Sequence, residues 1–280
     1  MIIKLYNTFH DHGSKPEEKY ITSLRPALLC GADLEWRHTD DIECDYRDNT
    51  GENISNENTQ YSELTGYYWI WKNESPDIIG IEHYRRHFIK HKPIIDDNVQ
   101  PDNLLDEKDI IDILVNYDYI VPVHESLANF SIYDLYKLCF PNQADSIIKY
   151  MLRYFKEQGL QNYYDSILNY MSHNSLFRAN MLITTRLEFD RYCNTLFTMI
   201  DYLKENIKVE NDSRIWGYVA ELFPMIYITA NNKSFKEIDI AVDDFNQDIQ
   251  KKVVYTTLNN EESDYSEKNP DEIIETLKNL

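Results

Sequence analysis

Glycine is scarce in this chain of 280 residues, with 7 in all, and neither a G-x-G-x-x-G nor a P-loop pattern occurs. Backbone that must approach phosphates closely is usually built from glycine, so dinucleotide and Walker-type nucleotide binding lose their usual sequence support. Cysteine is sparse as well: Cys30, Cys44, Cys139 and Cys193 stand far apart with no C-x-x-C. This spacing excludes a zinc ribbon or a redox motif and is expected of free thiols in a reducing compartment. Basic residues are outnumbered, 28 against 48 acidic, for a formal net charge of -20. Non-specific nucleic-acid binding and broad adhesion to anionic membranes both rest on positive charge, so neither is expected. Long hydrophobic runs are missing too. The longest weakly charged stretch, residues 216–230, contains Glu221 and falls short of the ~20 residues a membrane span needs. The first ten residues are too short and interrupted for a signal peptide. The expectation is a cytoplasmic protein, with at most peripheral contact at the inner face of the cell membrane.

What is present is 42% hydrophobic and 13% aromatic residues, enough for a core, and 22 tyrosines, which predict a surface rich in amphipathic rings. The chain is organised around residues 77–92. These open with Ile78, Ile79, Gly80 and Ile81, a run with neither alternate face polar, as expected of a central strand covered on both sides. The next residues are cationic: from 83 to 95 there is no Asp or Glu, while Arg85, Arg86, Lys90 and Lys92 stand beside His83, His87 and His91. In open α/β sheets ligands bind at the carboxyl ends of strands, so a positive island there predicts an anionic ligand. Two plainer readings compete. The arginines can simply balance nearby carboxylates, and the four-residue spacing of His83, His87 and His91 suits zinc ligands on one helical face.

Taken in order, residues 2–9 predict a first strand ending in the polar turn His10, Asp11, His12, Gly13, with His10 a candidate ligand contact. Residues 26–32 form a second apolar piece, followed by an acidic loop to Asp48. Ser55 is placed to cap a helix whose apolar stripe is Tyr61, Leu64, Tyr68 and Trp71. Asn49, Asn53, Asn56 and Asn58 crowd its start and offer donors and acceptors suited to sugar hydroxyls. A helix over 106–116 and a strand over 117–123 follow, which with the 78–81 strand predict a parallel crossover. Residues 132–170 are helical and tyrosine-rich, a candidate docking surface for a second substrate, and 180–184 predict another strand. Ser213 is placed to cap a helix that puts Arg214, Gly217, Tyr218 and Glu221 on one face and Trp216, Val219, Ala220 and Phe223 on the other. Beyond about 236 the chain grows acidic, which predicts a linker and a short final helix over 271–280.

Five segments in order, Asp48-Asn-Thr-Gly-Glu-Asn-Ile-Ser55, Tyr61-Ser-Glu-Leu-Thr65, Tyr68-Trp-Ile-Trp-Lys-Asn73, Ile79-Gly-Ile-Glu-His-Tyr-Arg-Arg-His-Phe88 and Arg214-Ile-Trp-Gly-Tyr-Val-Ala-Glu221, resemble a bacterial family. It is the group of capsular and exopolysaccharide glycosyltransferases long described as a domain of unknown function, with galactofuranosyltransferase-like members. The resemblance covers roughly residues 1–235. It implies an α/β, GT-A-like nucleotide-sugar-binding fold, with a mostly parallel central sheet flanked by helices. The donor half would span about 1–125, a helical acceptor half about 126–235, and an acidic extension 236–280. Where many GT-A enzymes carry Asp-x-Asp and a metal, this sequence has His83-Tyr-Arg-Arg86. The implied enzyme needs no metal, with Mn2+ or Mg2+ as the alternative, and Arg85 and Arg86 stabilise the leaving UDP. Glu221 is the first candidate for the base and His83 the second. Tyr84, His10, Asn53, Asn56 and Lys72 are implied as donor contacts, and Asn180, Arg214 and Tyr218 as acceptor contacts. The partners would be a UDP-sugar and a glycan or lipid-diphosphate-linked oligosaccharide. The alternatives are a non-catalytic nucleotide- or carbohydrate-binding module and a metal-dependent hydrolase.

Overall fold

A computed structural model describes residues 1–90, 100–177, 179–209, 214–242 and 269–280. His91, Lys92, the Ser213 cap and most of the acidic extension lie outside the described residues. The strands are β1 (Ile3–Phe9), β2 (Ala27–Leu29), β3 (Tyr46–Arg47), β4 (Ile78–His83), β5 (Arg86–Phe88) and β6 (Tyr119–Pro122). They continue with β7 (Glu125–Ser126), β8 (Ser175–Leu176), β9 (Leu182–Thr185), β10 (Phe235–Ile238) and β11 (Ile240–Val242). The helices are α1 (Asn58–Tyr61), α2 (Leu64–Asn73), α3 (Glu107–Leu114), α4 (Ile132–Cys139), α5 (Ala144–Glu157), α6 (Gln161–Met171), α7 (Arg186–Asn206), α8 (Ile215–Ala230) and α9 (Pro270–Lys278).

The main sheet runs β10-β6-β9-β4-β1-β2-β3, with β5 and β11 added beside β4, so the apolar run beginning at Ile78 is central as its composition requires. The sheet is mixed, which corrects the expectation of a mostly parallel one. β1, β2, β3 and β4 run parallel, but β9 inserts antiparallel between β4 and β6. β4 and β6 therefore point the same way without touching. Residues 236–242, read from sequence as the start of a linker, pair instead with β6 and β5.

Each face of the sheet buries its own core. Tyr6, Ile79 and Ile81 pack with residues of α2, α5, α6, α7 and α8, while Leu5, Ile78, Ile120 and Ile183 pack with Ile110 of α3 and Phe88. Burying each such side chain contributes about 1.5–3 kcal/mol. Tyrosine belongs to this core more than to the surface: Tyr133, Tyr136, Tyr163 and Tyr170, expected on a docking surface, are all buried. Their rings fill helix-to-helix gaps, as where Phe155 stacks on Tyr163 at 4.5 Å. The final helix is docked, with Ile273 and Leu277 buried.

The stripe read from Tyr61 to Trp71 does not lie on one helix. Ser62, at φ 52°, separates α1 from α2. Leu64, Tyr67 and Ile70 are fully buried, while Tyr68 and Trp71 are half-buried against Phe197. Ser55 is not an N-cap: its hydroxyl donates to Asp48 Oδ1 at 2.5 Å and accepts from the Asp33 N–H at 3.0 Å.

Glu82, next to the apolar run, is fully buried. Arg25 Nε donates to its Oε2 at 3.0 Å, the Phe88 N–H to its Oε1 at 2.9 Å, and His87 Nδ1 lies 3.3 Å from Oε2. Burial alone would raise the Glu82 carboxyl, but Arg25, His87 and the Phe88 N–H outweigh it and hold it at about 2. Its stabilising contribution is therefore complete above the ordinary glutamate value of about 4.3. It is lost as pH falls from there through about 2. Arg25→Ala leaves this carboxylate buried without its main partner and is expected to cost about 3–5 kcal/mol in urea unfolding at neutral pH.

Candidate active site

Strand register brings three chain ends together at the carboxyl edge of the sheet. Thr8 of β1 pairs with His83 of β4, the Tyr84 N–H donates to the Thr8 carbonyl at 2.9 Å, and the Cys30 N–H donates to the Phe9 carbonyl at 2.8 Å. His10, the loop after Cys30, and the tight Tyr84-Arg85 turn between β4 and β5 thus rise from one line. Above them lie the start of α2 and the first turns of α8. The cleft between them has a volume of about 350 Å³.

Its walls carry four guanidiniums, Arg37, Arg85, Arg86 and Arg214, and two glutamates, Glu63 and Glu221. Burial, and next the like charge of Arg85, push Arg86 down from the ordinary arginine value, with Glu221 opposing. Burial likewise lowers Arg37, whose Nη1 donates to Asn58 Oδ1 at 2.8 Å and to the Cys30 carbonyl at 3.3 Å. Arginine stays charged under such shifts, so crowded, partly dehydrated guanidiniums gain when an anion enters. Burial drives His83 down to about 4, with Glu63 opposing and Arg86 and Arg214 reinforcing, so its ring is neutral at neutral pH. His10 is lowered by burial as well. The Cys30 thiol, raised well above its ordinary value by burial, is not a nucleophile here.

Two positive-φ backbone positions fix the roof. Ser62 at φ 52° and Arg214 at φ 51° both line the cavity, and Arg214 Nε donates to Ser62 Oγ at 3.0 Å. Non-glycine residues adopt this region at a cost, and such positions gather at functional sites. Here the break at Ser62 ends α1 and sets Glu63 against the cavity at the start of α2. Gly217 permits the close approach of α8, since a Cβ there would lie 3.2 Å from the Ser62 side chain.

Of the residues singled out from sequence, His10, His83, Tyr84, Arg85, Arg86, Arg214, Tyr218 and Glu221 all line this cavity. Asn180 lies behind the wall, buried, with its Nδ2 donating to Glu63 Oε1 and to the Gly217 carbonyl. Asn53, Asn56 and Lys72 are not brought to it. Asn53 closes its own turn, accepting from the Ser55 N–H at 3.1 Å, and Asn56 is exposed. Lys72 sits over the Trp71 ring, 3.4 Å from Glu52. Sequence reasoning missed Arg37, Ser62 and Glu63, while Asn58, noted only among the asparagines at the helix start, does line the cavity. Arg37 carried a signal as a cation inside the acidic loop, and Ser62 and Glu63 lie within the Tyr61-Ser-Glu-Leu-Thr65 segment.

The zinc spacing does not survive folding. His83 and His87 belong to β4 and β5, not to a helix: His83 Nε2 lies 3.4 Å from the Asn180 backbone carbonyl, while the His87 ring packs at a tilt against Tyr20, 4.5 Å between centroids, beside Glu82. Among the described residues no group of three or more His, Cys, Asp or Glu is arranged to hold a metal ion. No described helix is long and apolar enough to cross a membrane.

Fold and site together define an α/β protein with a mixed sheet and an arginine-lined cavity at its carboxyl edge. Residues 4–233 match the family described as a domain of unknown function, DUF4422, and the chain belongs to that family. The apo structure of the WbbM bifunctional glycosyltransferase is similar in fold, with a TM-score of 0.70 and 24% identity. The similarity covers 87% of this chain and 46% of that one, so this chain spans less than half of that protein. Curated proteins yield no match.

His83 gives a pH prediction for the site. Its folded-state proton affinity is depressed, so stability is full above the unfolded value of about 6.5 and erodes as pH falls toward about 4. His83→Asn is expected to remove up to about 1.4 kcal/mol of acid sensitivity per pH unit in that window. The check is urea unfolding of both proteins at pH values across it.

Proposed function

We propose that this chain is a GT-A-like glycosyltransferase that moves a sugar, galactofuranose or another hexose, from a UDP-sugar to a surface-polysaccharide intermediate. The observation that carries the reading is the charge of the cavity. Four guanidiniums against two carboxylates leave two positive charges in excess, which balances the two negative charges of a diphosphate esterified at both ends. The name of the structurally similar WbbM protein, a bifunctional glycosyltransferase, supports the same class.

In this reading the bond between the anomeric carbon and the UDP oxygen breaks as the acceptor oxygen bonds to that carbon. The electron pair leaves with UDP, and Arg85 and Arg86 meet the developing charge with planar, bidentate donors. Fixed guanidiniums take the electrostatic role that a metal plays elsewhere, so turnover needs no divalent cation. Glu221, beside Arg86 and on the same helical face as Arg214 and Tyr218, takes the acceptor proton. His83 is the weaker candidate, because a ring depressed to about 4 has little tendency to accept a proton at neutral pH. Arg214 and Tyr218, both exposed at the rim, face an incoming lipid-diphosphate-linked oligosaccharide.

A thermal-shift panel with UDP, GDP and CMP, each with and without EDTA, tests the donor site. A ligand at about 100 times its Kd adds about 2.7 kcal/mol of stability, and UDP is expected to do so with EDTA present. A response lost in EDTA would move the diphosphate chemistry to a metal, and no response to any nucleotide would overturn the reading. Glu221→Gln is expected to lose turnover while keeping UDP binding, whereas a binding module would show no turnover to lose.

A further inference from the structure

Glu63 is a carboxylate in a cavity whose other charged groups are mostly arginines, and the diphosphate reading leaves it without a task. We infer that Glu63 reads the hydroxyl groups of the transferred sugar and that Asn180 is the residue that positions it; the inference rests on the transferase reading above. A carboxylate beside a diphosphate is repelled, so Glu63 can face only an uncharged, hydroxyl-bearing part of a nucleotide-sugar, the transferred sugar or the ribose, and the UDP arm of the test below separates the two. An ionised carboxylate only accepts hydrogen bonds, and sugar hydroxyls donate them.

The surroundings of Glu63 place that sugar at the closed end of the cavity. Beside it are His83, buried and neutral, and Asn180, 1% exposed, whereas Arg214 and Tyr218 at the mouth are exposed. Asn180 Nδ2 donates both to Glu63 Oε1 and to the Gly217 carbonyl, and the Asn180 backbone carbonyl accepts from Tyr67 Oη at 2.9 Å. The amide is thus tied to α8 and α2 with its donors spent on Glu63 and Gly217, so Asn180 acts through Glu63 rather than on a ligand. Ser62 fixes the other side, because its positive-φ backbone is held through its hydroxyl by Arg214. A carboxylate held at both its backbone and its tip discriminates between epimeric hydroxyls better than a mobile one.

The test is calorimetric titration of wild type, Glu63→Gln, Glu63→Asp and Asn180→Ala with UDP and with UDP-galactose, UDP-glucose and UDP-galactofuranose. Losing a hydrogen bond to a charged group typically costs about ten- to a hundredfold in affinity. Glu63→Gln is expected to show that loss for the preferred UDP-sugar, with UDP affinity unchanged or raised because a negative charge has gone. Glu63→Asp, which keeps the charge but withdraws it, should lose sugar affinity with no change for UDP. Asn180→Ala should shift the ratio of UDP-sugar to UDP affinity in the same direction by a smaller factor, a split that a purely structural defect would not produce. Equal losses for UDP and UDP-sugar, or no loss for either, overturn the inference while the transferase reading stands. Failure of wild type to bind UDP or any of the sugars overturns that reading, and the inference with it.

Discussion

The ion pair between Arg25 and Glu82 is the constraint on which the arrangement depends. Both groups are withdrawn from water, so neither is tolerable alone, and the carboxylate satisfies itself by gathering the Phe88 N–H and the His87 ring as well. Phe88 and His87 belong to β5, and Arg25 reaches on to the Leu105 carbonyl at 2.7 Å. The pair therefore ties the middle of the sheet to the segment before β2, to the returning β5 and to the approach to α3. The Tyr84-Arg85 turn is held at its base, and Arg85 and Arg86 project from a rigid element although the turn itself is two residues long.

The neighbouring residue has the opposite situation. A strand alternates its side chains, so Glu82 faces one core and His83 the other, where the cavity lies. Dehydration acts on both and its outcome differs because of partners: with a guanidinium in contact the carboxylate stays ionised, while without a carboxylate in contact the imidazole stays neutral. Farther round the cavity, α8 brings Arg214, Tyr218 and Glu221 to the same space, and its close contact at Gly217 holds the positive-φ turn of Ser62 in place.

Much of this was legible in the sequence because it followed from period and charge. The unbroken apolar run of β4, the cationic residues after it and the two-faced helix from Arg214 to Glu221 each carried a local signal, and all three meet at the cavity. Strand direction leaves no such trace: an apolar stretch such as 182–185 reads alike whether it runs parallel or antiparallel, so the inversion of β9 was hidden. Asparagine misled for a related reason. Asn53 and Asn56 crowd a helix start, but of that group only Asn58, on α1 itself, reaches the cavity. Nothing local marked Glu82 as a buried, paired carboxylate, since its partner Arg25 lies 57 positions away. Tyrosine spacing over 132–170 could not distinguish a packed helical bundle from a docking face.

An opening with excess positive charge in a protein of formal charge -20 also has a kinetic meaning. Far from the surface an anion meets a repulsive field, and at the cavity mouth the field reverses over a distance comparable to the Debye length of about 8–10 Å. Such a profile acts as a gate on encounter: anions that miss the mouth are turned away, while those that reach it are drawn in. Added salt flattens both the outer barrier and the inner well, so the speed of capture and the strength of retention respond to ionic strength in opposite directions.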